Sequence, residues 1–195
     1  MNRRHILTLA FSGLCPLVTA RVQAQQTASH DATRAIPFDN YGDNVAQAPF
    51  GGEVSPAISF YNRVSPYIAN AGLLHDGGLE EAQRLGFKLI VDLRGADEEG
   101  VSTEKMLADS LGIEYINIPV TRRAPEWNQV DELAGLIHNP EKYPMLIHCV
   151  SSNRSGAIWS LYRARVGVSP LTAIEEGRAA GLTSREAAVR NLLTI

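Results

Sequence analysis

Cys149 sits at the end of an apolar run and five positions before Arg154, within the stretch LIHCVSSNRSGAIW at 146–159. A cysteine in a loop that opens a helix has the makings of a nucleophile. The free amides of the helix's first turn, together with its dipole, favour negative charge on a bound oxyanion and on the sulfur itself. A thiol of ordinary pKa, about 8.5, is drawn toward neutrality in such a place, and the thiolate is the reactive form. Val150, Ser151, Ser152 and Asn153 would supply the amides, and Arg154, always protonated, would grip two oxygens of an oxyanion as a fork. Ser155 is placed to donate a hydrogen bond to the thiolate and so ease its departure in a second step. His148, on the opposite face of its strand from Cys149, is expected to orient the loop through its ring nitrogens. The plain alternative is a cysteine buried as a small hydrophobe.

These side chains need a strand that ends at Cys149 and a helix that begins just beyond it. MLIHC at 145–149 reads as the strand and 155–166 as the helix. Upstream, FKLIVDL at 87–93, bounded by Gly86 and by Arg94-Gly95, suits a strand buried on both faces, and EYINIPV at 114–120 is a further strand. Helical spacing marks 77–85, 102–111 and 126–138; the C-terminal region reads as helices at 170–180, capped by Ser169, and at 184–193. Two short extended pieces, broken by Pro66, fill 60–72. Strands alternating with helices predict an α/β sandwich, a central, mostly parallel sheet flanked by helices. Ligands bind such sheets outside the carboxyl ends of the strands, where Cys149 falls.

The pattern H-C-x(4)-R-S-G then carries a family resemblance. HCVSSNRSG resembles the phosphate-binding loop of the cysteine-dependent protein tyrosine phosphatase superfamily, which implies Cys149 as nucleophile, Arg154 as anion clamp and Ser155 as the hydroxyl after the arginine. FYNRVSPYIANAGLL, LEEAQRLGFKLIVDLR, LGIEYINIPV and NPEKYPMLIHC are similar to successive segments of atypical dual-specificity phosphatases. They are most similar to the bacterial phosphatase-like domain of beta-lactamase-hydrolase-like proteins. The likeness spans 59–167. It implies a phosphatase-like fold, a covalent phosphocysteine, an anionic phosphoester substrate and no cofactor.

Two departures stand against that pattern. Phosphatases of the superfamily have five residues between cysteine and arginine, usually with a central glycine; here there are four, and Ser152 stands near the glycine's place. A loop of this length is similar to that of rhodanese-type sulfurtransferases, whose cysteine carries a persulfide. The second departure is in PVTRRAPEW, where Thr121, Arg122 and Arg123 stand in the loop that usually holds the family's acidic aspartate. Glu126 is the candidate for that role, with Asp131 behind it, against plainer readings as a first-turn helix acid and a solvated helix face. Arg122 and Arg123 are candidates to attract an anionic substrate, and Arg94 and Asp92 end a strand on the same edge. His30, His75 and His138 have no partners at recognisable spacing and read as surface residues. Trp127 and Trp159 read as core.

The first 24 residues, with Arg3 and Arg4 before an apolar stretch at 6–20 and Ala24 at the end, read as an export signal for the Sec or twin-arginine route. Interrupted by Gly13 and Pro16, the stretch falls short of the roughly 20 apolar residues of a membrane span. Leu14 is too large for lipoprotein processing at Cys15, so no stable membrane anchor is expected. Cleavage after residue 24 of 195 leaves 171, enough for one core. Of these, 25–56, rich in Ala, Gln, Asn, Asp and Gly, reads as a flexible leader, and 57–195 as the catalytic domain of a periplasmic or secreted protein. The signal takes Arg3, Arg4 and Arg21 and no acid, so 15 of 18 basic residues remain against 21 acidic ones, a net charge of −6. That balance argues against nucleic acid or an anionic membrane as partner. Cys149 is then the only cysteine, so neither an internal disulfide nor a cysteine-rich metal site can form.

Three functions fit these residues. Phosphoester hydrolysis through phosphocysteine follows from the resemblance across the domain. Sulfane-sulfur transfer through a Cys149 persulfide follows from the short loop and the missing aspartate. In a non-catalytic oxyanion-binding module, Arg154 and the loop amides would matter and Cys149 would be dispensable.

Overall fold

The computed structural model describes residues 41–42 and 44–195. The expected export signal, Cys15, His30 and the leader up to residue 40 lie outside the described residues. Five strands form one sheet: β1 (Asn62–Ser65), β2 (Ile68–Ala71), β3 (Leu89–Asp92), β4 (Glu114–Asn117) and β5 (Met145–His148), in the order β1-β2-β5-β3-β4. β1 runs antiparallel to β2 across the turn at Pro66, and the other pairings are parallel. The expected mostly parallel sheet is therefore present, with β5 at its centre. β2, β3 and β5 are buried along their whole length, as strands covered on both faces must be.

Alternation along these strands feeds two cores. Leu89, Val91, Met145 and Ile147 meet Leu133 of α3 (Trp127–Ile137), Ile158 and Trp159 of α4 (Asn153–Arg165), Ile174 of α5 (Pro170–Ala179) and Val189 of α6 (Glu186–Leu193). Ala69, Ala71, Ile90 and Leu146 meet Leu79 and Ala82 of α1 (Gly78–Arg84) and Ala108 of α2 (Val101–Leu111). The sheet thus lies between two helical layers, and α4, which follows Cys149, is buried over 155–163. Among the described residues no helix is long and apolar enough to cross a membrane.

Gly156 lets α4 come this deep. A Cβ there would stand 2.2 Å from the Leu182 amide nitrogen and 2.6 Å from the Gly177 carbonyl. The glycine of the R-S-G pattern therefore serves the α4–α5 crossing, and the chemistry is left to its neighbours.

Three sequence expectations are corrected. α4 begins at Asn153, ahead of the expected 155, which puts Arg154 in the helix's first turn. Trp127 is 36% exposed, with the Arg165 guanidinium 5.8 Å from its ring centroid, so only Trp159 is core. Part of the expected flexible leader is packed. Tyr41 sits edge-on to Tyr67 at 5.3 Å, and the buried Ala48 donates its N–H to the Pro66 carbonyl at 2.8 Å. Val45 and Val54 pack on the two cores. Because this stretch fills separate gaps and its one regular element among the described residues is a single 3-10 turn, Gly51–Glu53, its apolar residues have no period to read.

Candidate active site

The carboxyl end of β5 delivers Cys149, 1% exposed, with its N–H on the Ala71 carbonyl at 3.3 Å. The loop after it is closed by contacts to two elements. The Val150 carbonyl accepts the Leu73 N–H at 3.1 Å, and Ser151 bridges Gly72. Ser152 adopts φ +60°, a left-handed conformation that costs a serine what it does not cost a glycine. Its Oγ donates to the Ala180 carbonyl at 2.9 Å, so its side chain points into the fold and away from any ligand. A Cβ on Gly181 would come within 2.6 Å of that hydroxyl, which is why a glycine faces it.

The sulfur is the focus of the loop. Burial alone would push the Cys149 thiol up, but the amides of Ser155, Ser151 and Arg154 and the Ser155 hydroxyl outweigh it and draw the thiol below its ordinary value. Ser155 Oγ lies 3.7 Å from Sγ and 3.3 Å from the Ala71 carbonyl, two acceptors for one hydroxyl proton. These donors thus shift the sulfur toward its thiolate form.

Arg154 is engaged by a carboxylate that sequence reasoning did not single out. Its guanidinium makes a two-pronged pair with Glu98, at 2.5 Å and 2.7 Å, and also reaches the Leu93 carbonyl at 3.3 Å. Glu98 Oε1 in turn accepts the Gly95 N–H at 2.6 Å. The bond to Arg154 holds the Glu98 carboxyl below the usual range. Glu98 comes from the acidic loop after β3, the neighbour of β5 in the sheet. That position was the available signal, since loops at the carboxyl ends of adjacent parallel strands share one rim.

Beside Arg154 opens a cleft of about 330 Å³ lined by Arg122, Arg123, Arg185, Ser151 and Ser184. Arg122 and Arg123 are thus beside the loop as expected; Arg185 was missed. Neither expected acid lines this cleft. Glu126 is exposed at the start of α3 and pairs with Arg122 at 2.9 Å, and Asp131 pairs with Arg165 at 2.9 Å on the outer face of α3. Helix α3 turns both toward solvent, so the plainer readings describe them. Asn153 is a tie more than a ligand contact. Its Nδ2 donates to Ser184 Oγ at 2.8 Å and its Oδ1 accepts the Thr183 N–H at 2.9 Å, fastening the turn before α6 to the loop.

Behind Cys149 lies a second set of charges. Arg94 pairs with Asp92 and Glu104, each at 2.7 Å, and Tyr115 donates to Asp92. His148 Nε2 is 2.8 Å from Glu104, close enough for an ion pair though off the line of a hydrogen bond, and 3.7 Å from Asp92. Burial of His148 would lower its pKa, but Glu104 and Asp92 outweigh this and raise it, favouring imidazolium. His148 therefore anchors β5 to this cluster, not the loop through ring hydrogen bonds, and Arg94 and Asp92 are spent on the same cluster. Asp92, Glu104 and His148 have ligand atoms within 4.8 Å of one another, a spacing that suits a metal ion. The Arg94 guanidinium already bonds both carboxylates, so the cationic place is filled by the chain itself.

On the far side of the Arg154–Glu98 pair runs a wider groove of about 970 Å³, where Leu73, Leu107 and Val150 mix with His75 and Glu99. His75 and His138 are exposed, as expected.

Residues 69–191 match the family model described as DSP-PTPase phosphatase fused to NAD+ kinase. Among solved structures the chain is similar to a DUF442 protein of Shewanella putrefaciens CN-32, with TM-score 0.56 and 16% identity over 70% of this chain and 92% of that one. It is similar to the nma1982 protein of Neisseria meningitidis Z2491, with TM-score 0.57 and 24% identity over 69% and 97% of the two chains. TpbA of P. aeruginosa, solved in complex with pTyr, gives TM-score 0.56 and 20% identity over 76% and 91%. At these identities the likeness speaks for the fold. No curated protein matches the sequence.

Proposed function

This chain belongs to the DSP-PTPase family that the matching model describes, and from that premise we propose that it hydrolyses phosphoesters through a phosphocysteine on Cys149. The observation that carries the reading is the convergence on one buried sulfur of three loop amides and the Ser155 hydroxyl, with the Arg154 fork beside it. Substrate oxygens take the loop amides and the Arg154 guanidinium, displacing Glu98. The thiolate attacks phosphorus, the S–P bond forms, and the P–O bond to the leaving group breaks.

The leaving oxygen needs a proton, and Glu98 is the carboxyl within reach of the site. Once the phosphoryl anion takes Arg154, Glu98 loses the cation that holds its pKa down and gains an anionic neighbour. Both changes raise its pKa, so it can carry the proton to the leaving oxygen. In the second step water attacks phosphorus and gives its proton back to the Glu98 carboxylate. The sulfur leaves as thiolate, eased by Ser155, and inorganic phosphate departs. Export after removal of residues 1–24 belongs to the same proposal, supported by Arg3, Arg4 and the apolar stretch at 6–20; an N-terminus at Gln25 on protein recovered outside the cytoplasm would bear it out, and retention of Met1 there would end it.

The test is turnover of an aryl phosphate by the reduced protein, with Cys149→Ser as control. Turnover that disappears in the variant and is blocked by vanadate is expected; a folded, reduced wild type that turns over no phosphoester removes the reading.

A second reading, sulfur transfer, is favoured by one observation. Glu98 is held ionised by Arg154, and a persulfide reaction needs no proton donor. The Cys149 thiolate would take the sulfane sulfur of thiosulfate and release sulfite. A mass gain of one sulfur on Cys149 would support it, and an unchanged mass would exclude it. The oxyanion-binding module is the case in which neither reaction occurs and phosphate affinity is lost in Arg154→Ala but kept in Cys149→Ser.

A further inference from the structure

We propose that the cleft beside Cys149 holds a second phosphate, gripped by Arg123 and Arg185, and that the substrate is a small organic molecule carrying two phosphoryl groups close together. The hydrolase reading enters only in saying which of the two groups reacts.

Charge count comes first. Of the four guanidiniums lining the cleft, Arg154 is matched by Glu98 and Arg122 by Glu126. Among the described residues no ion pair joins Arg123 or Arg185 to a carboxylate. Two unmatched positive charges equal the charge of one phosphate dianion, in a chain whose net charge is negative. Guanidiniums crowd each other in this way only at a cost that a bound anion removes.

The second consideration is rigidity. Arg185 is half-buried and donates to the Arg122 carbonyl, so the 121–123 loop and the turn before α6 are joined across the cleft. Asn153 fastens the same turn to the catalytic loop. Arg185 is therefore held at a fixed offset from Arg154 and Cys149. Burial and the neighbouring Arg154 pull its pKa below the ordinary value, which marks how close these charges stand.

The lining chooses the ligand's character. Hydroxyl and guanidinium groups surround this cleft, whereas the leucines and Val150 line the groove on the far side of Arg154. An aromatic ring would find no apolar wall here; a second phosphate would find the Arg123 guanidinium, the Arg185 guanidinium with only its Nη1 engaged by the Arg122 carbonyl, and the Ser184 and Thr121 hydroxyls.

Pyrophosphate is the smallest probe of this geometry. Its affinity for Cys149→Ser is compared with that of orthophosphate by titration calorimetry. Pyrophosphate is expected to bind on the order of 10- to 100-fold tighter, the worth of one or two charge-assisted bonds. Arg185→Gln in the same background should collapse that ratio to about threefold or less, while orthophosphate affinity reports that the loop and Arg154 are intact. Equal affinities at the outset, or a ratio that survives Arg185→Gln combined with Arg123→Gln, would overturn the subsite. If the ratio behaves as expected while the wild type hydrolyses neither mono- nor bisphosphates, the subsite stands and the hydrolase reading falls.

Discussion

Behind Cys149, at the buried ends of β3 and β5, two carboxylates face a guanidinium and an imidazole; in front of it, four guanidiniums share a cleft, and Glu98 is the carboxylate that grips Arg154. With His148 protonated the rear cluster is neutral, as a set of charges withdrawn from water has to be. Its charges are matched among themselves, and its work is to hold the strand that carries Cys149. The front cluster keeps contact with solvent and carries excess positive charge, so a ligand can complete it. Balanced charge positions and unbalanced charge binds, and each half of that statement can be broken by substitution.

The largest effect on stability is expected behind the cysteine. Glu104→Gln leaves Arg94 and His148 short of an anion in the interior and should cost about 3–5 kcal/mol in urea unfolding; a loss below about 1 kcal/mol would mean the rear cluster is not closed. In front, Arg154→Lys removes the two-pronged grip and should lower kcat/KM for an aryl phosphate by about 10²- to 10³-fold with little change in stability.

Glu98→Gln splits two roles. Orthophosphate should bind more tightly, because the competing carboxylate is gone. Turnover of alkyl phosphates, whose leaving groups need a proton, should fall by about 10²- to 10⁴-fold, and that of nitrophenyl phosphate much less. Tighter binding with unchanged alkyl turnover would leave Glu98 as a gate on Arg154 and nothing more.

The pH dependence of stability separates the clusters more finely. The folded-state pKa of His148 is raised, so its contribution is complete below the unfolded value of about 6.5 and is lost as pH rises through the folded pKa. The pKa values of Asp92 and Glu98 are lowered, so their contributions are complete above about pH 4 and are lost as pH falls. Wild type should lose stability on the alkaline side of 6.5, and Glu104→Gln, lacking the main partner of His148, should lose less there. Identical alkaline slopes would remove His148 from the rear cluster's balance. Smallest of all, Arg122→Ala should change stability by under about 1 kcal/mol, because its pair with Glu126 is exposed.

What could be read from the sequence follows the same division. Cys149, Arg154 and Ser155 share one strand-loop-helix unit, so their spacing alone brings them together, and the apolar runs around them announce the sheet. Glu98, Glu104 and Arg185 come from other elements and reach β5 or the loop after it only through tertiary packing, which apolar periodicity does not encode. The pattern of relatives places the acid after β4, whereas the carboxylate at Arg154 comes from the loop after β3, next to β5. Ser152 and Asn153 stand in the loop as suppliers of amides; what spacing does not show is that their side chains are spent on the fold, Ser152 Oγ on the Ala180 carbonyl and Asn153 on Ser184 and the Thr183 N–H.

The most direct test of the account is to trap the intermediate. Wild type and Glu98→Gln are mixed with an aryl phosphate, quenched in acid within one turnover, digested and weighed. The account predicts one phosphoryl group on the peptide containing Cys149, absent from Cys149→Ser. Turnover without that adduct, or by the serine variant, would contradict it.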